Sequence, residues 1–311
     1  MKSAVVNGPL GTVGMALVKN LLDRGIRTWA VCYPGDPRIR WLPEGAEILP
    51  LDMREIHRLT EMIPDGADAF FHLAWMGTIG PGRNDALVQT ENIRCAVEAA
   101  RTARKLGCEV FAGAGSQAEY GRIEGLVTPD APCFPLNGYG MAKLCAGQLT
   151  RLECAGTGMR HVWARIISVY GPGDGPLSVI PTILGKLLKG EKPALTAGEQ
   201  EWDFCYSGDA AEALVRMALY GKDGKIYPVG SGTTRRLREY FEAVRDAVDP
   251  SLPLGIGELP YPDGQVMRIQ ADLAPLREDT GFEPKVPFEE GIRLTLEDYR
   301  RRLEAEEGRG S

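Results

Sequence analysis

Along the first half of the chain, short runs of aliphatic and β-branched residues alternate with stretches whose apolar positions recur every three or four residues. The short runs predict strands over 3–6, 28–32, 47–50, 69–72, 110–113 and 161–166. The longer stretches predict helices over 12–24, 54–63, 85–106 and 139–155, with Gly25 and Gly107 as helix stops. Alternation of this kind implies an α/β protein, a parallel sheet with helices on both faces. From Tyr170 the pattern changes: 171–176 reads as a loop, and the remainder mixes short helices with Pro/Gly turns. One more helix over 209–220 and strand over 225–229 are expected to rejoin the sheet, and the charged end, 300–311, is expected to fray.

Composition narrows the classes. The 311 residues are 44% hydrophobic and 25% charged, ordinary for one large globular domain or two joined ones. A net charge of -6 gives no reason to expect nucleic acid or an acidic membrane face as a partner. No apolar run approaches the roughly 18 residues of a spanning helix. Seven scattered cysteines without a Cys-x-x-Cys pair read as reduced thiols in the cytoplasm. His57, His72 and His161 stand far apart, so no metal site is expected.

The first strand runs into Gly8-Pro9-Leu10-Gly11-Thr12-Val13-Gly14 and then an amphipathic helix. Strand, glycine turn and helix N-terminus together make a pyrophosphate cradle, because the backbone can approach and free N–H groups carry partial positive charge. The same Gly-x-x-Gly-x-x-Gly spacing also suits a tight turn with close helix packing. An acid closing the second strand would favour NAD. Cys32 and Tyr33 stand there instead, followed by Arg38 and Arg40, which leans the reading to NADP with NAD as the alternative. The two arginines are equally readable as solvated loop charges. After the third strand, Asp52 either accepts a hydrogen bond from the adenine amino group or caps the next helix. His72-Leu73-Ala74 ends the fourth strand with a small residue beside the cofactor, and His72 alone reads as a core histidine.

Two segments carry the chemistry: Gly113 to Gly121, containing Ser116, and Tyr139-Gly140-Met141-Ala142-Lys143 at the start of a helix. Tyr139 and Lys143 are four apart and share a helical face. A phenol titrates near pH 10 when unperturbed, and an adjacent ammonium is expected to lower that value toward acid/base use. Ser116 would hydrogen-bond the same substrate oxygen while hydride passes to or from a nicotinamide. Tyr-x-x-x-Lys alone also fits an exposed helical pair; the order of cradle, serine strand and pair argues for the site.

In combination these motifs resemble the extended short-chain dehydrogenase/reductases of the NAD-dependent epimerase/dehydratase group, over nearly the whole chain. The matching residues are Gly8, Gly11, Gly14, Asp52, His72-Leu73-Ala74, Asn92, Ser116 with Tyr120-Gly121, Tyr139 and Lys143. Arg165 through Asp174, Trp202-Asp203-Phe204 with Asp209, and Gly281-Phe282 to Gly291 also match. The resemblance implies a Rossmann-type doubly wound parallel sheet, 1–170 plus about 206–230, with a smaller mixed C-terminal substrate lobe, 171–205 and 231–311. It implies a homodimer through the long helices around Cys95 and Leu149, and a nucleotide-sugar substrate. Cofactor contacts would then also come from Leu10, Thr12, Val13, Tyr33, Arg38, Met53, Trp75, Asn92, Gly115, Ile166, Ser168 and Val169. Substrate contacts would come from Ser116, Gln117, Tyr139, Ser168, Trp202 and Arg268.

Sugar 4,6-dehydratases of this family place Asp-Glu directly after the serine or threonine, and one epimerase branch places a cysteine at the second position. Gln117 and Ala118 stand there, so C4 oxidoreduction remains. The surrounding segment is most similar to that of reductases acting on CDP-linked 4-keto sugars. A 4-ketoreductase is therefore expected, with an NAD-retaining 4-epimerase and a non-catalytic dinucleotide sensor as alternatives. Trp202 stands where a diphosphate-binding arginine is usual, and Ser168 where Asn is usual. Arg268 is either a substitute for a second arginine or a surface charge. Trp202 either stacks on a base or packs between the lobes. Glu119 reads as solvent-facing without a role, and 78–83 as either a flap or a plain loop.

Overall fold

The computed structural model describes residues 1–307. Seven parallel strands form the central sheet: β1 (Ser3–Asn7), β2 (Arg27–Cys32), β3 (Glu47–Pro50), β4 (Ala69–His72), β5 (Val110–Ser116), β6 (Arg160–Ile166) and β7 (Lys225–Val229). Their spatial order is β7-β6-β5-β4-β1-β2-β3. This is the Rossmann-type sheet expected, and the order reverses between β1 and β4, where a crevice opens beyond the strand ends. β5 runs three residues past the predicted 110–113, because Ala114 to Ser116 pair with Ala164 to Ile166 of β6. That extension carries Ser116 beyond the end of β4.

Helix α1 (Thr12–Asp23) buries Gly14, Leu17, Val18 and Leu21, one stripe at helical spacing. α2 (Ala86–Lys105) begins at Asp85, whose carboxylate accepts from the amides of Leu87 and Val88, and ends with Arg104 and Lys105 in its last turn. α3 (Gly138–Cys154) packs beside it, with Ala96, Ala146 and Trp163 of β6 forming one small buried cluster. α4 (Ser207–Tyr220) packs against β5 and β6, and α5 (Phe288–Glu307) closes the described chain. Two expectations are corrected. The predicted helix 54–63 is a 3-10 turn, Met53–Arg58, followed by a short α-helical turn, Leu59–Met62, with Glu55 breaking the helical geometry. The end of the chain is helical through Glu307, since Phe288, Ile292 and Leu296 sit in a second core and Arg302 pairs with Asp298; residues 308–311 lie outside the described residues.

The remaining strands are short. Arg235–Arg236, Glu201–Trp202, Arg268–Ala271 and Gly125–Val127 form a mixed four-stranded sheet, and Phe204–Tyr206 pairs with Ser168–Tyr170. All seven cysteines are free, five of them buried. Among the described residues no helix is long and apolar enough to cross a membrane.

Candidate functional site

The glycine turn divides its labour. Gly8 has a φ of +91°, a conformation open to glycine. A Cβ at Gly8 would overlap the Ala74 backbone, and one at Gly14 would overlap the Gly8 carbonyl. These two glycines serve close packing. Gly11 is different: it is the N-cap of α1, a Cβ there meets nothing, and no side chain caps the helix. Gly11 borders a cavity of about 510 Å³. Unsatisfied donors and the helix dipole at an open cavity suit a pyrophosphate.

Of the residues expected at the cofactor, Leu10, Tyr33, Arg38, Asp52, Met53, Leu73, Ala74 and Trp75 line this cavity with Gly8 and Gly11. Asp52 takes the capping role and also borders the cavity: its carboxylate accepts from the Arg54 amide at 2.9 Å. The Arg38 guanidinium is paired with Asp36 at 2.6 Å, and that pairing holds the Asp36 carboxyl below its ordinary range. Asp36 was not foreseen, because it lies past the strand end; it caps the Pro37–Trp41 turn and so is aimed back at the cavity. Arg40 lies over the Trp41 ring instead.

At the other end of the crevice, the Asn137 side chain accepts from the Gly140 amide at 2.8 Å and starts α3. Tyr139 and Lys143 therefore fall in its first turns. The Tyr139 ring stands edge-on to Trp75, and the Arg83 guanidinium lies 4.3 Å from its centroid. Lys143 Nζ donates to the Ala114 carbonyl at 2.6 Å, 3.8 Å from the Trp75 ring centroid. The Ser116 hydroxyl lies near enough to the Tyr139 phenol to favour its ionised form. Hydroxyl, phenol and ammonium thus meet from β5 and α3.

The electrostatics differ from expectation. Tyr139 is not lowered by Lys143: burial pushes its pKa up, against Ser116 and Arg83. Lys143, 3% exposed, is itself pushed down to about 7 by burial, with Glu119 opposing. The ammonium is desolvated and committed to a carbonyl, so the bias toward phenolate comes from Ser116 and Arg83. His72 is a buried core histidine, held near 3 by burial and Lys143, with Nδ1 3.1 Å from the Asn7 amide.

Glu119 is the largest correction. It is 1% exposed and ion-paired with Arg165 at 2.7 Å. Arg165 inside a buried strand was the signal that a partner must exist. Gly115 is small for the same reason, since a Cβ would overlap the Glu119 carboxylate and the Trp163 indole. Asn92 is buried and braces α2 against the loop after β4, accepting from the Met76 amide at 2.9 Å and donating to its carbonyl at 2.8 Å. Gln89, not foreseen, donates to the Gly77 and Gly82 carbonyls and ties down the 78–83 segment, which carries Arg83 over Tyr139. Gln117 has a buried side-chain oxygen with no partner.

Ser168 accepts from Trp202 Nε1 at 2.9 Å, so the indole is anchored where the two main buried clusters meet. Ile166, Val169 and Val13 are partly buried and pack against the main core. Arg268 turns the other way: it pairs with Glu201 at 3.2 Å, across from the residue preceding Trp202, and strand alternation puts it on the opposite face. The structure does not bring it to Ser168 or Trp202.

Thr12 borders a second cavity with the 171–178 loop, and its hydroxyl lies 3.4 Å from Asp174. Burial raises the Asp174 carboxyl to about 6. A raised carboxyl contributes stability below the unfolded value near 4, and that contribution is lost as pH rises through about 6. Asp174→Asn is therefore expected to melt higher than the parent above pH 6 and to converge with it near pH 4. Paired melting curves across that range check this; a constant difference would refute it.

Residues 4–230 match the family model described as NAD dependent epimerase/dehydratase. The dTDP-glucose 4,6-dehydratase of Xanthomonas campestris pv. campestris (strain B100) is 28% identical over 184 residues, 56% of this chain. The match spans 52% of that relative, about half its length. The GDP-6-deoxy-D-mannose reductase of Pseudomonas aeruginosa is 25% identical over 272 residues, covering 82% of this chain and 88% of that protein. A UDP-N-acetylglucosamine 4-epimerase structure from Methanobrevibacter ruminantium M1, in complex with UDP-N-acetylmuramic acid, superposes with a TM-score of 0.87 at 22% identity. That superposition covers 97% of this chain and 99% of the other. With the glycine cradle and the Ser116, Tyr139 and Lys143 cluster in place at the crevice of a Rossmann-type sheet, the chain belongs to the NAD dependent epimerase/dehydratase family of enzymes.

Proposed function

We propose that the protein is an NAD(P)-dependent oxidoreductase that reduces the C4 keto group of a nucleoside-diphosphate deoxysugar, of which a CDP-sugar is the first candidate. The observation carrying this reading is that Ser116, Tyr139 and Lys143 converge while positions 117 and 118 hold no carboxyl. A bound nicotinamide dinucleotide supplies the hydride. Ser116 holds the C4 oxygen and Tyr139 delivers its proton to it; the phenolate left behind is stabilised by Ser116 and Arg83, with Lys143 beside the ring, and regains its proton from solvent. Elimination of water, the reaction of the dehydratase relatives, needs an additional acid and base that Gln117 and Ala118 cannot provide. The unpartnered Gln117 oxygen supports a role as acceptor for a sugar hydroxyl. Ser168 and Trp202 are proposed to border the substrate.

NADP is our preferred cofactor, on the strength of Arg38 at the cavity. The carboxylate of Asp36 beside it favours NAD, and with NAD retained the same groups would support 4-epimerisation. Exposed Leu87, Met141, Leu149 and Leu152 on α2 and α3 support a homodimer through those helices. The free thiols support a reducing, cytoplasmic compartment.

NADPH consumption at 340 nm with CDP-, dTDP-, UDP- and GDP-4-keto sugars tests the reductase. The expected outcome is turnover with one nucleotide and a purified protein free of nicotinamide. NAD that co-purifies, with interconversion of C4 epimers, would replace the reductase by the epimerase. Dinucleotide binding without turnover on any sugar would favour a sensor.

A further inference from the structure

β5 ends on Ser116, and a single carboxylate secures that end. The Ser116 amide donates to Glu119 Oε1 at 2.8 Å, and the Ser116 hydroxyl accepts from the Ala118 amide at 3.2 Å, a reciprocal cap. Oε1 also accepts from Trp163 Nε1 at 3.0 Å, and Oε2 accepts from Arg165 Nε at 2.7 Å. Gly113 and Gly115 carry no Cβ where Trp163 and Glu119 crowd the strand. Three donors from β5 and β6 therefore converge on one buried acid. Capping alone does not require a charge, because a neutral acceptor would serve the amide and the indole. A buried ion pair is also a weak way to gain stability.

The charge has another recipient. Lys143 donates to the Ala114 carbonyl, two residues before Ser116 on the same strand. It feels the charge of Glu119 and is faced by His72 of β4 and by the Trp75 ring. Tyr139 is faced by Ser116, Arg83 and Glu119. Glu119 itself is faced by Arg165, with Tyr120 and Cys133 nearby.

We propose that Glu119 is a positioning residue of this site, a buried carboxylate that holds Ser116 in register and presents its negative charge to the Tyr139–Lys143 pair. It acts through those three residues without touching substrate. The inference rests on reading Tyr139 and Lys143 as the acid/base pair.

Glu119→Gln keeps the shape but leaves Arg165 buried without a counter-charge, so Glu119→Gln/Arg165→Met is made beside it to keep the interior neutral. Tyr139 ionisation is read as phenolate absorbance of the cofactor-free protein, after subtracting Tyr139→Phe in the same background. Loss of the nearby negative charge is expected to lower that midpoint by about 0.5–1 pH unit in whichever variants fold, and Glu119→Asp is expected to return it toward the parent. In turnover, the basic limb of kcat should move to lower pH as Lys143 loses its proton earlier, with KM within about 3-fold. A Tyr139 midpoint in the folded double variant that coincides with the parent overturns the proposal. So does a Glu119→Asp midpoint that matches Glu119→Gln. If the parent turns over no sugar, the oxidoreductase reading fails while the titration still decides the role of Glu119.

Discussion

Tyr139→Phe is expected to lower kcat by about 10²–10⁴-fold, with KM for the nucleotide sugar nearly unchanged. The substitution removes one hydroxyl and leaves the ring, which is what Trp75 and Arg83 contact. Binding surfaces therefore stay in place while the proton donor disappears. Lys143→Met should lose turnover comparably while gaining stability. Lys143 is buried, and its pKa falls from 10.5 to about 7. A lowered ammonium pKa means the folded state resists the charge: the cost is fully present below about pH 7 and fades as pH rises toward the unfolded value near 10.4. Lys143→Met should accordingly raise Tm at pH 6–7 by about 2 °C or more, a gain that shrinks near pH 10. Steady-state kinetics beside melting curves at both pH values check the pair. Retained turnover in Tyr139→Phe would remove this tyrosine as the proton donor, and a lowered Tm in Lys143→Met would mean the buried amine stabilises the fold.

The second large effect is expected at the glycine turn. Gly8→Ala introduces a Cβ at a φ of +91° and drives it against the Ala74 backbone. Backbone strain of this kind costs about 1–3 kcal/mol, and the neighbour is main chain that cannot swing away. Tm should fall by several degrees, and dinucleotide affinity should weaken by at least about tenfold as α1 and the loop after β4 separate. Gly11→Ala is the informative control. Its Cβ meets nothing in the protein. Stability should therefore be near that of the parent while affinity for the dinucleotide still falls, because the lost space is where a pyrophosphate would approach. Equal melting losses in both variants would mean that Gly11 serves packing after all.

Much of the architecture was legible in the sequence because it is locally encoded. Strand and helix periodicities, the stops at Gly25 and Gly107, and the Gly8, Gly11 and Gly14 spacing each depend on residues within a few positions of one another. The same holds for Tyr139 and Lys143, which helical geometry alone places on one face. What the chain could not reveal on its own is how buried those groups become and which distant partners reach them. Glu119 meets Arg165 across 46 residues of sequence, and Arg83 reaches the Tyr139 ring from a loop tied down by Gln89. Those contacts follow from strand register and helix packing, which are set cooperatively by the whole core. Arg268 shows the same rule from the other direction, since one step of strand alternation turned it away from Trp202. Local spacing thus determined which groups carry the chemistry, whereas desolvation and long-range pairing, which exist only once the chain is folded, decided their charge states and supports.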